Sequence, residues 1–260
     1  MMKFSEQTID LATGPVHFLK GGAGPAILHL HSAAGPRLSP ALEKLAIKHT
    51  IYMPTMPGFN GTPAHANVAT MSDLADLTAT FIRATIDKGC DVVAESFGGW
   101  IALWLAVKHP DLVEQLVLEA PAGMRTEGIG GLPADPAERN RKLYAVPERA
   151  PQNPRYEEVL PGNFKASSGY TKGEILDAEL LKLLPQIKAR TLLLFGTKEE
   201  VTPAEDVGRR LKAGIAHSHL SYIYGAAHAV EFDQPERVAR LVGAFLERGE
   251  AFVVRMPEVA

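Results

Sequence analysis

The stretch DVVAESFGGW, residues 91 to 100, constrains the fold of this chain more than any other. Asp91 to Ala94 is β-branched and suits a short strand, and Trp100 to Lys108 reads as a helix. Only Glu95 separates that strand from Ser96, and Phe97-Gly98-Gly99 leads into the helix. A chain that turns from strand to helix so abruptly leaves Ser96 at the tip of a sharp turn. Its neighbours two before and two after must then be small, and they are Ala94 and Gly98. The helix aims its N-terminus at the serine, which favours developing negative charge there. The plainer alternative is a serine capping an ordinary strand–helix turn, and this stretch alone does not separate the two.

The rest of the chain supplies the context such a turn needs. Gln7 to Leu11 and Val16 to Leu19 read as short strands broken at Gly14-Pro15, and Ala26 to His31 as a buried strand. A helix over Leu38 to His49 and a strand over Thr50 to Met53 follow. The turn-rich PTMPGFNGTP must be a loop. Ser72 is the expected cap of a long helix in which Leu74, Leu77, Phe81 and Ile82 recur at helical spacing, with Asp73 and Asp76 at its positive end. Beyond Trp100 the rhythm continues with a strand over Val113 to Leu118, then breaks after Pro121. Residues 122 to 185 are rich in Gly, Pro and charge, with weak helical stretches near Ala137 to Tyr144 and Glu174 to Leu184. They predict an inserted lid rather than an independent domain. The rhythm returns with a strand at Thr191 to Phe195, a helix near Ala204 to Ala213, a strand at Leu220 to Tyr224 and a helix near Glu236 to Arg248. Strands alternating with helices at this spacing make a mainly parallel sheet of about eight strands flanked by helices, an α/β fold. The core is then 1–121 with 186–260, and the lid 122–185. The tail from Ala251 to Ala260 stays open between an edge strand over AFVV and a surface for a second copy of the chain, a homodimer.

Composition narrows the function classes. A formal net charge of −3 offers no basic face for nucleic acid or an anionic membrane. The longest apolar stretch, Trp100 to Val107, is too short to span a bilayer, and the first residues lack a secretory apolar region. The lone Cys90 excludes an internal disulfide framework and suits a reducing compartment, so a cytoplasmic protein is expected. His29 and His31 have no third ligand nearby for a metal, and no G-x-G-x-x-G follows the first strand for a dinucleotide. No metal or cofactor is expected, and the partner is a small-molecule substrate.

With these elements in place, AESFGGW resembles the nucleophile elbow of the α/β-hydrolase family, with Ala94 where glycine is usual. HLHSAAGP resembles that family's oxyanion loop, with Ser32 at its usual glycine. GAAHAVEFDQPERVARLVGAFL is similar to the family's C-terminal pattern, and PTMPGFNGTP to its loop beside the active site, with Thr55 and Asn60 as departures. The resemblance covers about residues 7–121 and 186–248 and implies a serine hydrolase of the α/β-hydrolase fold. It makes Ser96 the nucleophile and His228 its base, with the Phe97 and Ala33 N–H groups as oxyanion donors. GTKEEVTP places Glu199 at the family's acid position, with Glu200 as its solvated neighbour and Glu119 as an outside alternative. His29 and His31 are read as bracing the loop. Ala34, Trp100, Met124 and Tyr170 are expected against substrate, although Met124 and Tyr170 suit lid core as well.

The chemistry this implies is hydrolysis of an ester or related acyl compound through an acyl-enzyme. The same triad serves carbon–carbon bond hydrolases, lactonases and cofactor-free perhydrolases, and a hydrolase fold can also be retained as a non-catalytic binding protein.

Overall fold

The computed structural model describes residues 3–151 and 154–253. Its centre is an eight-stranded sheet in the order β1-β2-β4-β3-β5-β6-β7-β8. The hairpin β1 (Phe4–Leu11) and β2 (Gly14–Gly22) is antiparallel and forms one edge. β2 pairs antiparallel with β4 (Thr50–Pro54), and the remaining neighbours are parallel: β3 (Ala26–Leu30), β5 (Cys90–Glu95), β6 (Val113–Glu119), β7 (Arg190–Gly196) and β8 (Ser218–Ile223). Every residue of β5 is buried, as expected of a central parallel strand covered on both faces.

Alternate residues of the strands feed two cores. On one face Leu28, Val92, Ala94, Leu116 and Leu118 pack under α2 (Met71–Thr85) and α3 (Phe97–Lys108). On the other Ile27, Val93, Val117, Leu192 and Leu194 pack under α1 (Pro40–Leu45) and a late helix, Pro235–Arg248.

Between β6 and β7 stand α4 (Pro136–Leu143), α5 (Pro154–Thr171) and α6 (Ala178–Leu183). Two of these match the weak helical stretches of the sequence. The longest, α5, was not expected, because it contains Pro161 and several glycines and serines that disfavour a helix on propensity. After β7 come α7 (Arg209–Gly214), then the short α8 (Val230–Asp233) and α9 (Pro235–Arg248) beyond β8.

One local expectation is corrected and one open reading is narrowed. The cap of α2 is Thr70, not Ser72: Thr70 Oγ1 accepts the Asp73 N–H at 3.1 Å, and Asp73 Oδ2 accepts the Thr70 N–H at 3.0 Å. This reciprocal box satisfies two otherwise unpaired donors, which a cap at Ser72 would not. At the other end, Gly249–Val253 forms a 3₁₀ turn rather than a strand, with Phe252 edge-on to Phe245 and His219. The remainder of the tail lies outside the described residues.

Candidate active site

Parallel register brings the C-terminal ends of β5, β6 and β7 level, with Glu95 opposite Glu119 and Glu119 opposite Leu194. Ser96 follows β5 at this edge with φ 51° and ψ −109°, a conformation an L-residue holds only when its surroundings impose it. They do so through hydrogen bonds: the Ser96 N–H donates to Glu119 O at 2.9 Å, and Ser96 O accepts from Ala122 N at 2.9 Å and Trp100 N at 3.3 Å. The turn lies so close to β3 that a Cβ at Gly98 would stand 2.2 Å from Leu30 O, so only glycine fits there. Phe97 opens α3, and a helix's first N–H has no intrahelical acceptor, so this amide stays available beside the serine hydroxyl.

The loop after β3 is braced by His31. Its Nε2 accepts the Met56 N–H at 3.1 Å, so its proton sits on Nδ1, which donates to Ser32 O at 2.8 Å. Burial pushes His31 down to about 4, so it stays neutral and keeps both bonds. Ser32 O also accepts from Gly35 N at 3.0 Å. In a trans peptide N–H and C=O point oppositely, so fixing the Ser32 carbonyl turns the Ala33 N–H away from His31.

His228 and Glu199 meet directly. His228 Nδ1 lies 2.9 Å from Glu199 Oε2, and both side chains are buried. Glu199 Oε1 accepts Val201 N at 2.6 Å and Thr202 N at 2.9 Å, so each oxygen has its own partner. Burial disfavours both charges, yet the His228 charge and hydrogen bond hold the Glu199 carboxyl below its ordinary value. Against the same burial, the charge and hydrogen bond of Glu199 hold His228 above its own. Neutral His228 with its proton on Nδ1 presents Nε2 as a base. The loop packs closely enough to do this because a Cβ at Gly196 would fall 2.2 Å from Ala226 O. Among the described residues no hydrogen bond joins Ser96 to His228. Thr202 Oγ1 donates to Ala120 O at 3.0 Å and the Ala120 N–H to Leu194 O, which ties the Glu199 loop to the strand end beside Ser96.

The competing acids are placed elsewhere. Glu200 is exposed and Glu199 faces the histidine. The Glu119 carboxyl is fully buried and, among the described residues, has no hydrogen-bond partner; burial, reinforced by Glu231 and Glu95, raises it well above the usual range and favours its protonated form. His29, with Nε2 3.4 Å from Glu231 Oε1, belongs to this buried group and not to the cleft.

The residues expected against substrate are placed differently. The Trp100 indole N–H donates to Asp177 Oδ2 at 2.8 Å, as does that of Trp104, and Trp100 fills the space that a Cβ at Gly123 would need. Met124 is fully buried and bridges to Leu176. Tyr170 donates its hydroxyl to Pro57 O at 3.0 Å, and Ala34 O accepts from Asn163 Nδ2 at 2.8 Å. These four anchor the β6–β7 insertion on the core. A cavity of about 890 Å³ opens instead between the β1–β2 hairpin, the loop at Pro36–Leu38, the start of α5 and Phe232, and none of the four lines it.

Three residues of this neighbourhood had no sequence signal strong enough to single them out. Fully buried Asn163 joins α5 to both loops, accepting the Asn60 N–H at 2.7 Å and donating to Asn60 Oδ1 at 3.0 Å. Asp233 accepts Ala227 N at 2.8 Å and Ala145 N at 2.9 Å, joining the His228 loop to the insertion. Arg37 donates to the Tyr144 hydroxyl and lies over the rings of Tyr156 and Phe232 at 4.9 and 4.8 Å.

A family model described as the alpha/beta hydrolase family matches residues 22–241. The chain belongs to the α/β-hydrolase family. Like other members of that family it is an enzyme, built on the mostly parallel sheet described above. Among its curated relatives, this α/β hydrolase is 26% identical over 261 residues to the 2-hydroxymuconate semialdehyde hydrolase of Pseudomonas sp. (strain CF600), covering 90% of each chain. It is 30% identical over 192 residues to a pimeloyl-[acyl-carrier protein] methyl ester esterase of Neisseria meningitidis serogroup B, covering 65% of this chain and 73% of the esterase. Among solved structures, a serine hydrolase involved in carbazole degradation superposes with a TM-score of 0.75 at 20% identity, covering 94% of this chain and 99% of the other. Naproxen esterase from Bacillus subtilis superposes with a TM-score of 0.73 at 16% identity, over 94% and 92%. These structural likenesses bear on the fold. No helix among the described residues is long and apolar enough to cross a membrane.

Proposed function

We propose that this chain is a serine hydrolase that cleaves an ester or related acyl small molecule through an acyl-enzyme on Ser96. His228, oriented by Glu199, takes the hydroxyl proton as Ser96 attacks the carbonyl, and returns it to the leaving group. The Phe97 and Ala33 amides receive the oxyanion, and water, activated by His228, then releases the acyl group. The β6–β7 insertion is the lid over this chemistry. The observation that carries the reading is the buried 2.9 Å contact of His228 Nδ1 with Glu199 at the sheet edge that also holds Ser96 in a strained turn.

A second reading on the same residues is hydrolysis of a carbon–carbon bond. It is favoured by the relatives matched over nearly their whole length, among them the 2-hydroxy-6-oxo-6-phenylhexa-2,4-dienoate hydrolase of Comamonas testosteroni, 24% identical over 95% of each chain. Treatment with a fluorophosphonate followed by peptide mapping is expected to label Ser96. A panel of p-nitrophenyl esters and vinylogous diketones then separates the two readings by kcat/KM. Absence of labelling, or a Ser96→Ala variant with unchanged turnover, defeats both.

A further inference from the structure

Arg37 is a cation with unusual surroundings. Its guanidinium lies between the Tyr156 and Phe232 rings, and one of its five donors meets the Tyr144 hydroxyl. Among the described residues no carboxylate lies within 4.0 Å of it, although partly buried guanidinium groups are normally paired. The charge of buried Glu95, next to Ser96, acts on Arg37 only from farther away. What remains accessible of Arg37 faces the 890 Å³ cavity, which has the size of a small-ligand site. Leu38, Val159, Tyr156 and Phe232 supply that cavity with an apolar and aromatic wall. Neither Ser96 nor His228 lines this cavity, and its links to the reaction centre run along the chain. Arg37 lies four residues beyond Ala33 on the same loop, and Phe232 four residues beyond His228. The charge of Arg37 is also felt at His228.

We propose that this cavity is a substrate subsite that takes an apolar body ending in a carboxylate, which pairs with the open N–H edge of the Arg37 guanidinium beside Tyr156 and Phe232. The class of substrate is then an acyl compound carrying a carboxylate remote from the scissile bond, and the assignment rests on the serine-hydrolase reading above. A guanidinium fork suits a planar carboxylate, and a charge-assisted contact of this kind contributes roughly 10- to 100-fold in binding. A neutral analogue leaves the guanidinium unpaired and loses that factor.

The test compares p-nitrophenyl hydrogen adipate with p-nitrophenyl hexanoate, a pair of equal carbon-chain length that differs in the terminal carboxylate, together with half-esters two methylenes shorter and longer. The wild-type enzyme is expected to prefer the best carboxylated ester by roughly 10-fold or more in kcat/KM. Arg37→Gln should abolish that preference, Arg37→Lys should restore part of it, and Tyr144→Phe, which removes only the tether, should retain it. Calorimetric titration of the wild-type protein with phenylbutyrate and its neutral amide gives a readout free of catalysis, with the carboxylate expected to bind at least 10-fold tighter. Equal rates across all chain lengths, or a preference that survives Arg37→Gln, overturn the subsite while leaving the serine hydrolase intact. Tighter phenylbutyrate binding that depends on Arg37, in a protein whose Ser96 neither labels nor turns over any ester, supports the subsite and defeats the hydrolase reading.

Discussion

Replacement of Glu199 by glutamine tests the triad through hydrogen-bond arithmetic. Glu199 accepts three hydrogen bonds: two from the Val201 and Thr202 amides on Oε1 and one from His228 on Oε2. Glutamine has one oxygen and one NH₂ group. If its oxygen keeps the two amides, its NH₂ faces His228 Nδ1, which must then become an acceptor and move its proton to Nε2. A histidine protonated on Nε2 cannot take the serine proton. If the amide flips, NH₂ faces two buried N–H donors, each costing about 1–3 kcal/mol unsatisfied. The loop therefore selects the wrong tautomer. The expected loss in kcat is roughly 10⁴-fold, equivalent to about 5.5 kcal/mol in the barrier. The assay is steady-state hydrolysis of any accepted p-nitrophenyl ester, with a thermal melt to confirm an intact fold. Glu200→Gln, at an exposed position, should change kcat less than about 3-fold, because its charge is screened. Glu119→Gln should also stay within about 3-fold, since glutamine resembles the protonated acid that burial favours there. A Glu199→Gln enzyme within 10-fold of wild type would refute the reasoning, and a collapse at Glu119 would move the acid to β6.

Other expectations follow from the same geometry. His228 is raised above 6.5, so kcat/KM should rise with pH through a value above 6.5, and Glu199→Gln should move that limb to lower pH as burial prevails. In stability, the depressed Glu199 contributes above 4.5 and loses its contribution as pH falls through its folded value, whereas the raised His228 contributes below 6.5 and loses it as pH rises through its own. The stability gap between wild type and Glu199→Gln should therefore be widest between 4.5 and 6.5, and urea melts across pH will show a flat gap if the pair is unimportant. Ser96→Gly should abolish turnover yet stabilise the fold, because glycine relieves a backbone strain of about 1–3 kcal/mol against an entropy cost of about 0.5–1 kcal/mol. A lowered melting temperature would show the turn to be unstrained. Asp177→Ala should destabilise by about 2–5 kcal/mol, since it strands the Trp100 and Trp104 indole N–H groups and removes the α6 cap; urea denaturation followed by tryptophan fluorescence reads this, and a cost under 1 kcal/mol would contradict it.

Much of the core was legible because its signals are local. The turn at Ser96 needs small neighbours, so Ala94 and Gly98 mark it in one dimension. Parallel strands buried on both faces read as short β-branched or apolar runs at a regular interval. His228 and Glu199 were legible through resemblance, as GAAHAVEFDQPERVARLVGAFL and GTKEEVTP match the family's patterns for base and acid. The cap at Thr70 was missed although Asp73 stands three residues on, because Ser72 competes for the same role on residue type alone.

What only the tertiary structure decided depends on contacts between residues far apart in the chain. Helix α5 contains a proline and poor helix formers, and it docks through Asn163 on Ala34 and Asn60 and through Tyr170 on Pro57. Met124 and Tyr170 look equally suited to a pocket wall or a core, and Trp100 is turned from the expected pocket by Asp177, more than seventy residues away. The resemblance pointed to Glu199, but its burial against His228, with two backbone N–H groups on its other oxygen, is visible only in the folded loop. Arg37 reads as an ordinary loop cation until Tyr144, Tyr156 and Phe232 close around it. Turn sterics and strand periodicity act between near neighbours and are written along the chain, whereas burial, hydrogen-bond pairing and charge depend on which distant segments the completed sheet brings together.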